Sequence, residues 1–438
     1  MSATTGATRI VDLRGRRVWD SRGHPTVEAE MHLAGGAVGR AIAPAGASTG
    51  SGEAIELRDG GSALGGFGVA QALRGIAEEI APALLGRDAA DQRAVDDWLI
   101  ALDGTPQKQR LGGNALIAVS LAVLQAAAVA AGEPLWRHLA GGRAVRLPMP
   151  EIQIFGGGAH AGRRLDIQDL MVVPVGAADF PAALAMVAEV YRAAGTLLAE
   201  AGKLRGVADE GGFWPEFASN DEALETLLRA IERAGFRPGE QVAISLDIAA
   251  SEFGSGGLYN LRHTSPSRGR GQGEGVTLGT EQMIELLGDW IARFPIIAVE
   301  DPLAEDDAAG MRAFTARFGG RVQVIGDDYL VTDARLIEAA AASGACNAAL
   351  IKPNQVGTVS ETVAAIEAAR RGGLATIISA RSGETEDATL AHLAVGWDCG
   401  QLKVGSFARS ERMAKWNEVL RIAEQAAAQG GRLLEIAR

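Results

Sequence analysis

The chain has 438 residues, 57 of them glycine, and a formal net charge of −12. Both nucleic acid and an anionic membrane repel such a chain, so neither is expected as its main partner, and an anionic ligand would need a local cationic pocket or a metal. Two cysteines, Cys346 and Cys399, are too few for a disulfide framework and have no ligand-spaced partners, while the length allows two domains or one elaborated barrel.

Met1 to Arg9 carries no apolar signal region, and the alanine-rich stretch Ala115 to Ala131 is interrupted by Ser120 and Gln125 and falls short of a convincing bilayer span. A cytoplasmic protein is expected. Thr26-Val-Glu-Ala-Glu-Met31 alternates like a half-exposed antiparallel strand, and Val38 to Ala43 can pair with it through the Gly35-Gly36 turn. Helices are predicted around Gly68 to Leu84, Asp91 to Leu102 and Asn114 to Ala131, giving a small α+β domain over residues 1–140. Within it, Asp20-Ser-Arg-Gly-His-Pro25 is a turn cluster, and Pro44-Ala-Gly-Ala-Ser-Thr-Gly50 is a glycine-rich loop with hydroxyls, short enough to fold over a site.

Leu147-Pro-Met-Pro150 marks the passage into a second part, residues 141–438. Gly156-Gly-Gly-Ala-His160 reads as a mobile loop with one histidine, and Gln168-Asp169 as two polar residues leading into a strand. Ala208-Asp-Glu210-Gly-Gly-Phe213 sets two acids before a glycine pair, which suits a carboxylate held by an unusual backbone turn. Arg262 to Gly275 reads as a surface insertion. Short apolar runs then end on Asp247, Glu300, Asp327 and Lys352; Ala375 to Ser379 runs into Ala380-Arg381-Ser382, and the last run holds Lys403. Alanine-rich segments of helical length separate them, such as Thr358 to Arg371, with a repeat of about 25 residues. That rhythm predicts parallel strands with crossover helices, an eightfold α/β barrel of TIM type, in which the C-terminal ends of the strands converge on one mouth.

Three carboxylates at strand ends, Asp247, Glu300 and Asp327, form a hard oxygen site that suits Mg²⁺ rather than zinc, and their mutual repulsion calls for a cation. Lys352 is then a general base, given enough nearby positive charge from the metal and Lys403 to lower its pKa. Proton abstraction next to a carboxylate generates a dianionic enediolate, which needs concentrated positive charge. Arg381 and Ser382 supply donors for a phosphate or second anionic group.

Asp20-Ser-Arg-Gly-His-Pro-Thr-Val-Glu28, Gly46-Ala-Ser-Thr-Gly50, Glu56-Leu-Arg-Asp-Gly60, Leu102-Asp-Gly-Thr105, Asp209-Glu-Gly-Gly-Phe213, Glu300-Asp-Pro302, Lys352-Pro-Asn-Gln355 and Arg381-Ser-Gly-Glu-Thr-Glu-Asp387 resemble the enolases from end to end. The resemblance implies an N-terminal α+β capping domain on an enolase-type barrel, with Asp247, Glu300 and Asp327 as ligands of a first Mg²⁺ and Ser48 joining a second when the lid shuts over substrate. It makes Lys352 the base at C2 and Glu210 the acid at the C3 hydroxyl. Gln168, Arg381, Ser382 and Lys403 would hold the anionic groups of a small phosphorylated or phosphonylated carboxylic acid, His160 would sit on a closing loop, and a homodimer or larger homo-oligomer is implied.

The chain also departs from that pattern. Ala380 stands where enolases have histidine, Asp169 where they have glutamate, Gly156 in place of an asparagine and Ala45 in place of the first lid serine. A retained reaction core with an altered pocket suggests a changed substrate, as in the carboxyphosphonoenolpyruvate synthases, whose product is similar to phosphoenolpyruvate with a carboxylate on phosphorus. The alternatives are an ordinary enolase acting on 2-phosphoglycerate and a non-catalytic binding protein on the same fold.

Overall fold

The computed structural model describes residues 6–263 and 275–428. The expected insertion at Arg262 to Gly275 lies, apart from its ends, outside the described residues.

The chain opens with an antiparallel sheet of β1 (Ile10–Trp19), β2 (Pro25–Leu33) and β3 (Val38–Ile42), with β2 in the middle. The turn cluster expected at Asp20 joins β1 to β2, because the Asp20 carboxylate accepts from the backbone N–H groups of Arg22 and His24, each at 2.8 Å. Gly36, at φ +87°, supplies the left-handed residue of the β2–β3 turn, where its N–H donates to Leu33 O. β2 is buried along most of its length rather than half exposed, because a helix, Gly113–Ala130, packs on the sheet. Gly39 permits that approach: a Cβ there would lie 2.2 Å from both Ala122 O and Ala126 N. Contrary to the sequence reading, Gly113–Ala130 is long and apolar enough to cross a bilayer, as is Phe180–Glu200; the former is nevertheless buried on almost every side.

Eight strands close the barrel. They are β4 (Met149–Gly156), β5 (Asp169–Val173), β6 (Ala243–Asp247) and, after a small sheet of β7 (Gly254–Ser255), β8 (Leu258–Leu261) and β9 (Val276–Gly279), the strands β10 (Ile296–Glu300), β11 (Gln323–Gly326), β12 (Ala348–Ile351), β13 (Ala375–Ser379) and β14 (Gln401–Ser406). The order is β10-β11-β12-β13-β14-β4-β5-β6, with β6 pairing back to β10. All neighbours are parallel except at β5, which runs antiparallel to both β4 and β6. The purely parallel barrel expected from the rhythm is corrected here. No helix separates β4 from β5 beyond the short turn Ala159–Ala161, and without a crossover helix the chain returns antiparallel.

Side chains alternate along a strand, so residues two positions before a mouth residue point to the same side. Ala298, Ile325, Leu350 and Ile377 stand two residues before Glu300, Asp327, Lys352 and Ser379, and with Ala348 they form an apolar cluster separate from the main core. This apolar layer lies beneath the mouth.

Candidate active site

The strand ends deliver their charged residues to one place. Lys403, on β14, lies with its Nζ 2.8 Å from Asp247 Oδ2, 2.8 Å from Glu300 Oε2 and 3.5 Å from Asp169 Oδ2. Lys352 Nζ donates to Asp327 Oδ2, and Gln355 donates to the other oxygen, Oδ1, at 3.0 Å. Gln168 donates to Asp247 Oδ2 at 3.1 Å. Asp169 joins this group because β5 is reversed. An antiparallel strand presents its first residue, not its last, at the mouth, and Asp169 pairs in register with Asp247.

These charges are all buried, and each depends on the others. Burial, together with the Asp247 charge, holds the Glu300 carboxyl well above the usual range, and Glu300 Oε1 has no hydrogen-bond partner. For Lys403, burial works against the ammonium, but Asp247 and Glu300 outweigh it and raise the pKa. Lys352 follows the same logic: burial opposes its charge, Asp327 overrides burial, and the pKa lies above the ordinary lysine value. The lowered value that the sequence reading asks for depends on a metal ion beside Lys352, and the direct Asp327 contact is what that positive charge has to outweigh. The donor set of Asp247, Glu300 and Asp327, all oxygen and with one orphaned oxygen on Glu300, fits a hard divalent cation such as Mg²⁺. A tighter group also includes Asp327: it offers an oxygen within 4.8 Å of oxygens of Asp301 and Asp328. Asp301 is already engaged by the backbone N–H groups of Asp327 (2.9 Å) and Asp328 (2.7 Å), and burial beside Asp327 pushes the Asp328 carboxyl up to about 8.

Glu210 sits on the turn that its glycine pair suggests. Gly211 has φ +94° and a Cβ there would meet Ala408 O at 2.5 Å, while Ala208 N–H donates to Gly212 O at 2.8 Å and closes the turn. Ser382 Oγ then donates to Glu210 Oε1 at 3.2 Å. His160 is not on an exposed loop. It is buried, with Nε2 3.0 Å from Asp169 Oδ1 and Nδ1 4.0 Å from Glu210 Oε1. Burial works against the charged ring, but the Asp169 carboxylate prevails and pushes the pKa up to about 9; Asp169 is correspondingly lowered, against its own burial, by His160 and Lys403.

Arg381 departs from expectation in one respect. Its guanidinium is already paired, Nη1 to Glu53 Oε2 at 2.8 Å and Nη2 to Glu53 Oε1 at 3.2 Å, with further bonds to Asn354 Oδ1 and to the backbone oxygen of Ser48. The glycine-rich loop is thereby drawn to the mouth. Gly46 leaves room for that guanidinium, since a Cβ would lie 2.1 Å from Arg381 Nη2, and Ala45 exchanges two backbone hydrogen bonds of 2.9 Å with Gly383. Ser48, half buried, lines one small cavity with Glu210, Lys352, Ala380, Arg381 and Lys403. Sequence reasoning gave no role to Glu53, Gln153, Asn354, Gln355, Asp301 or Asp328. Several stand directly beside named residues, and the acid doublets Glu300-Asp301 and Asp327-Asp328 were the available signal.

Residues 10–139 match the family model described as enolase, N-terminal domain, and residues 144–432 match the one described as enolase, C-terminal TIM barrel domain.

Proposed function

Because the chain belongs to the enolase family, whose members are lyases of the enolase superfamily, we propose that it removes the C2 proton and the C3 hydroxyl of a 2-phosphoglycerate-type acid to give a phosphoenolpyruvate-type product. The observation that carries this reading is that Lys352 and Glu210 line one cavity together with Lys403, Arg381 and Ser382. Lys352 takes the C2 proton. Glu210 gives a proton to the C3 hydroxyl, so that the C–O bond breaks with release of water. Lys403, set between Asp247 and Glu300, faces the substrate carboxylate, and Arg381 with Ser382 takes the phosphorus group. Mg²⁺ held by Asp247, Glu300 and Asp327, and a second ion near Ser48, would supply the positive charge that a dianion requires and offset the field that keeps Lys352 protonated.

The substrate is proposed to be a specialised one. Ala380 lines the cavity next to Arg381 and Ser382, where its methyl group leaves room for a substituent on phosphorus such as the carboxylate of carboxyphosphonoenolpyruvate. Ordinary phosphopyruvate hydratase activity is the second reading, supported by the assembly of base, acid and carboxylates around one mouth. The same reading makes the protein cytoplasmic and homo-oligomeric, its division into cap and barrel falling at residues 140/141.

Turnover of 2-phosphoglycerate with Mg²⁺ by the wild type and by Ala380→His separates the two. A specialised enzyme turns over 2-phosphoglycerate about 10²-fold or more below ordinary enolase levels and is not repaired by the histidine. Ordinary wild-type rates, or full recovery in Ala380→His, contradict the specialised assignment.

A further inference from the structure

Gln153 lies on β4 with no exposed surface, and the reaction described above gives it no role. A buried primary amide needs partners for both its oxygen and its nitrogen. Its Oε1 accepts from the Gly212 N–H at 2.8 Å, which fixes the orientation of the amide. Its Nε2 then donates to Asp169 Oδ1 and lies 3.1 Å from His160 Nε2. One side chain thus ties together the start of β5, the Ala159–Ala161 turn and the turn that carries Glu210.

Two glycines leave space for it. A Cβ at Gly212 would lie 2.3 Å from Gln153 Oε1, a distance no side chain tolerates. A Cβ at Gly156 would already touch Nε2 at 3.4 Å and His160 Nε2 at 3.5 Å, so any longer side chain there would displace the amide. Gly156 is one of the positions at which the chain departs from the enolase pattern, and Asp169, the amide's acceptor, is another.

We propose that Gln153 is a positioning residue, which fixes Glu210 relative to the Asp169–His160 pair so that proton delivery at C3 depends on it while proton abstraction at C2 does not. The proposal rests on the reaction assigned above. Glu210 is held on its side-chain end by Ser382 and on its backbone end by the Ala208–Gly212 turn, and the Gly212 N–H of that turn is anchored by Gln153. Lys352 stands at the end of β12 and makes no contact with the amide, its Nζ being bonded to Asp327. Loss of the amide frees the Gly212 end of the turn, so that the Glu210 side chain shifts although the Ser406 N–H still donates to Glu210 O at 2.9 Å, and it leaves the base in place. A shift of about 1 Å in a reacting group lowers its step by about 10²-fold.

The test uses 2-phosphoglycerate and Mg²⁺ in D₂O, with C2 exchange and product formation followed separately by NMR. Gln153→Met keeps length and volume but removes the amide; it should lower product formation about 100-fold and leave C2 exchange within a few-fold of wild type. Gln153→Asn shortens the reach by one methylene and should fail in the same way. Adding Asp169→Glu to Gln153→Asn restores the combined length across the bond and should recover product formation at least about tenfold. Equal loss of exchange and elimination, or no recovery in the double variant, overturns the proposal, because a side chain that only supports the fold lowers both rates together and gains nothing from exchanging lengths. If Gln153→Met does not fold, the Asn pair carries the test. A wild type that neither exchanges nor turns over 2-phosphoglycerate contradicts the ordinary phosphopyruvate hydratase reading instead. The positioning role is then decided by crystal structures of Gln153→Met, in which loss of the Glu210–Ser382 contact supports it and an unmoved Glu210 contradicts it.

Discussion

His160 and Asp169 lie 3.0 Å apart with almost no exposure to water, and the pKa of the imidazole is pushed up to about 9. A histidine whose pKa is raised in the folded state contributes stability that is fully present below its unfolded value of about 6.5 and is lost as pH rises through its folded value. The melting temperature of the wild type should therefore fall between about pH 6.5 and 9, and His160→Gln should flatten that fall; an equally steep fall in the variant would show that another group is responsible. Arg381 and Glu53 form a second buried pair at the mouth, and here removing one partner strands a charge. Glu53→Gln should lower stability by about 3–5 kcal/mol, measured by denaturant unfolding, and inorganic phosphate should restore part of the loss by pairing with the freed guanidinium. A change under 1 kcal/mol would mean that the pair behaves as a solvated one.

At the level of elements, most of the barrel was legible because its strands are short, apolar and end on charge. β6, β10, β11 and β12 appear where those runs stood. The direction of β5 was not legible: Asp169–Val173 is apolar and fully buried like a parallel strand, and only the missing crossover helix before it could have revealed the reversal. β1 was not located in the sequence because Ile10–Trp19 carries three arginines and lacks clean alternation; it is an edge strand held by cross-strand pairs such as Arg16 with Glu28. The close approach of the helix Gly113–Ala130 to β3 was equally invisible, since it rests on one missing side chain. Gly39→Ala, which places a methyl group against the helix backbone, should destabilise the protein by about 1–3 kcal/mol, read from the denaturation midpoint. An unchanged midpoint would show that helix and sheet can separate without penalty.

Across the whole molecule, the cap and the barrel meet at the site. The loop Pro44–Gly50 is joined to the segment after β13 by the Ala45–Gly383 pairing and by the Ser48 and Glu53 contacts of Arg381, so residues more than 300 positions apart in sequence share one corner of the mouth. This assembly explains why the charged residues were easy to name and their partners were not. A strand end announces itself in the sequence, whereas Glu53, Gln153 and Gln355 become partners only when the fold brings distant segments together. The account stands on a division of labour around that mouth, with Lys352 acting at C2 and Glu210 at C3. Its most direct test is C2 proton exchange measured in D₂O, with Mg²⁺ and 2-phosphoglycerate or a close analogue, for the wild type, Lys352→Ala and Glu210→Gln. Exchange should be abolished in Lys352→Ala and persist in Glu210→Gln, whose product formation alone is lost. Equal loss of exchange in both variants, or exchange that survives without Lys352, would contradict it.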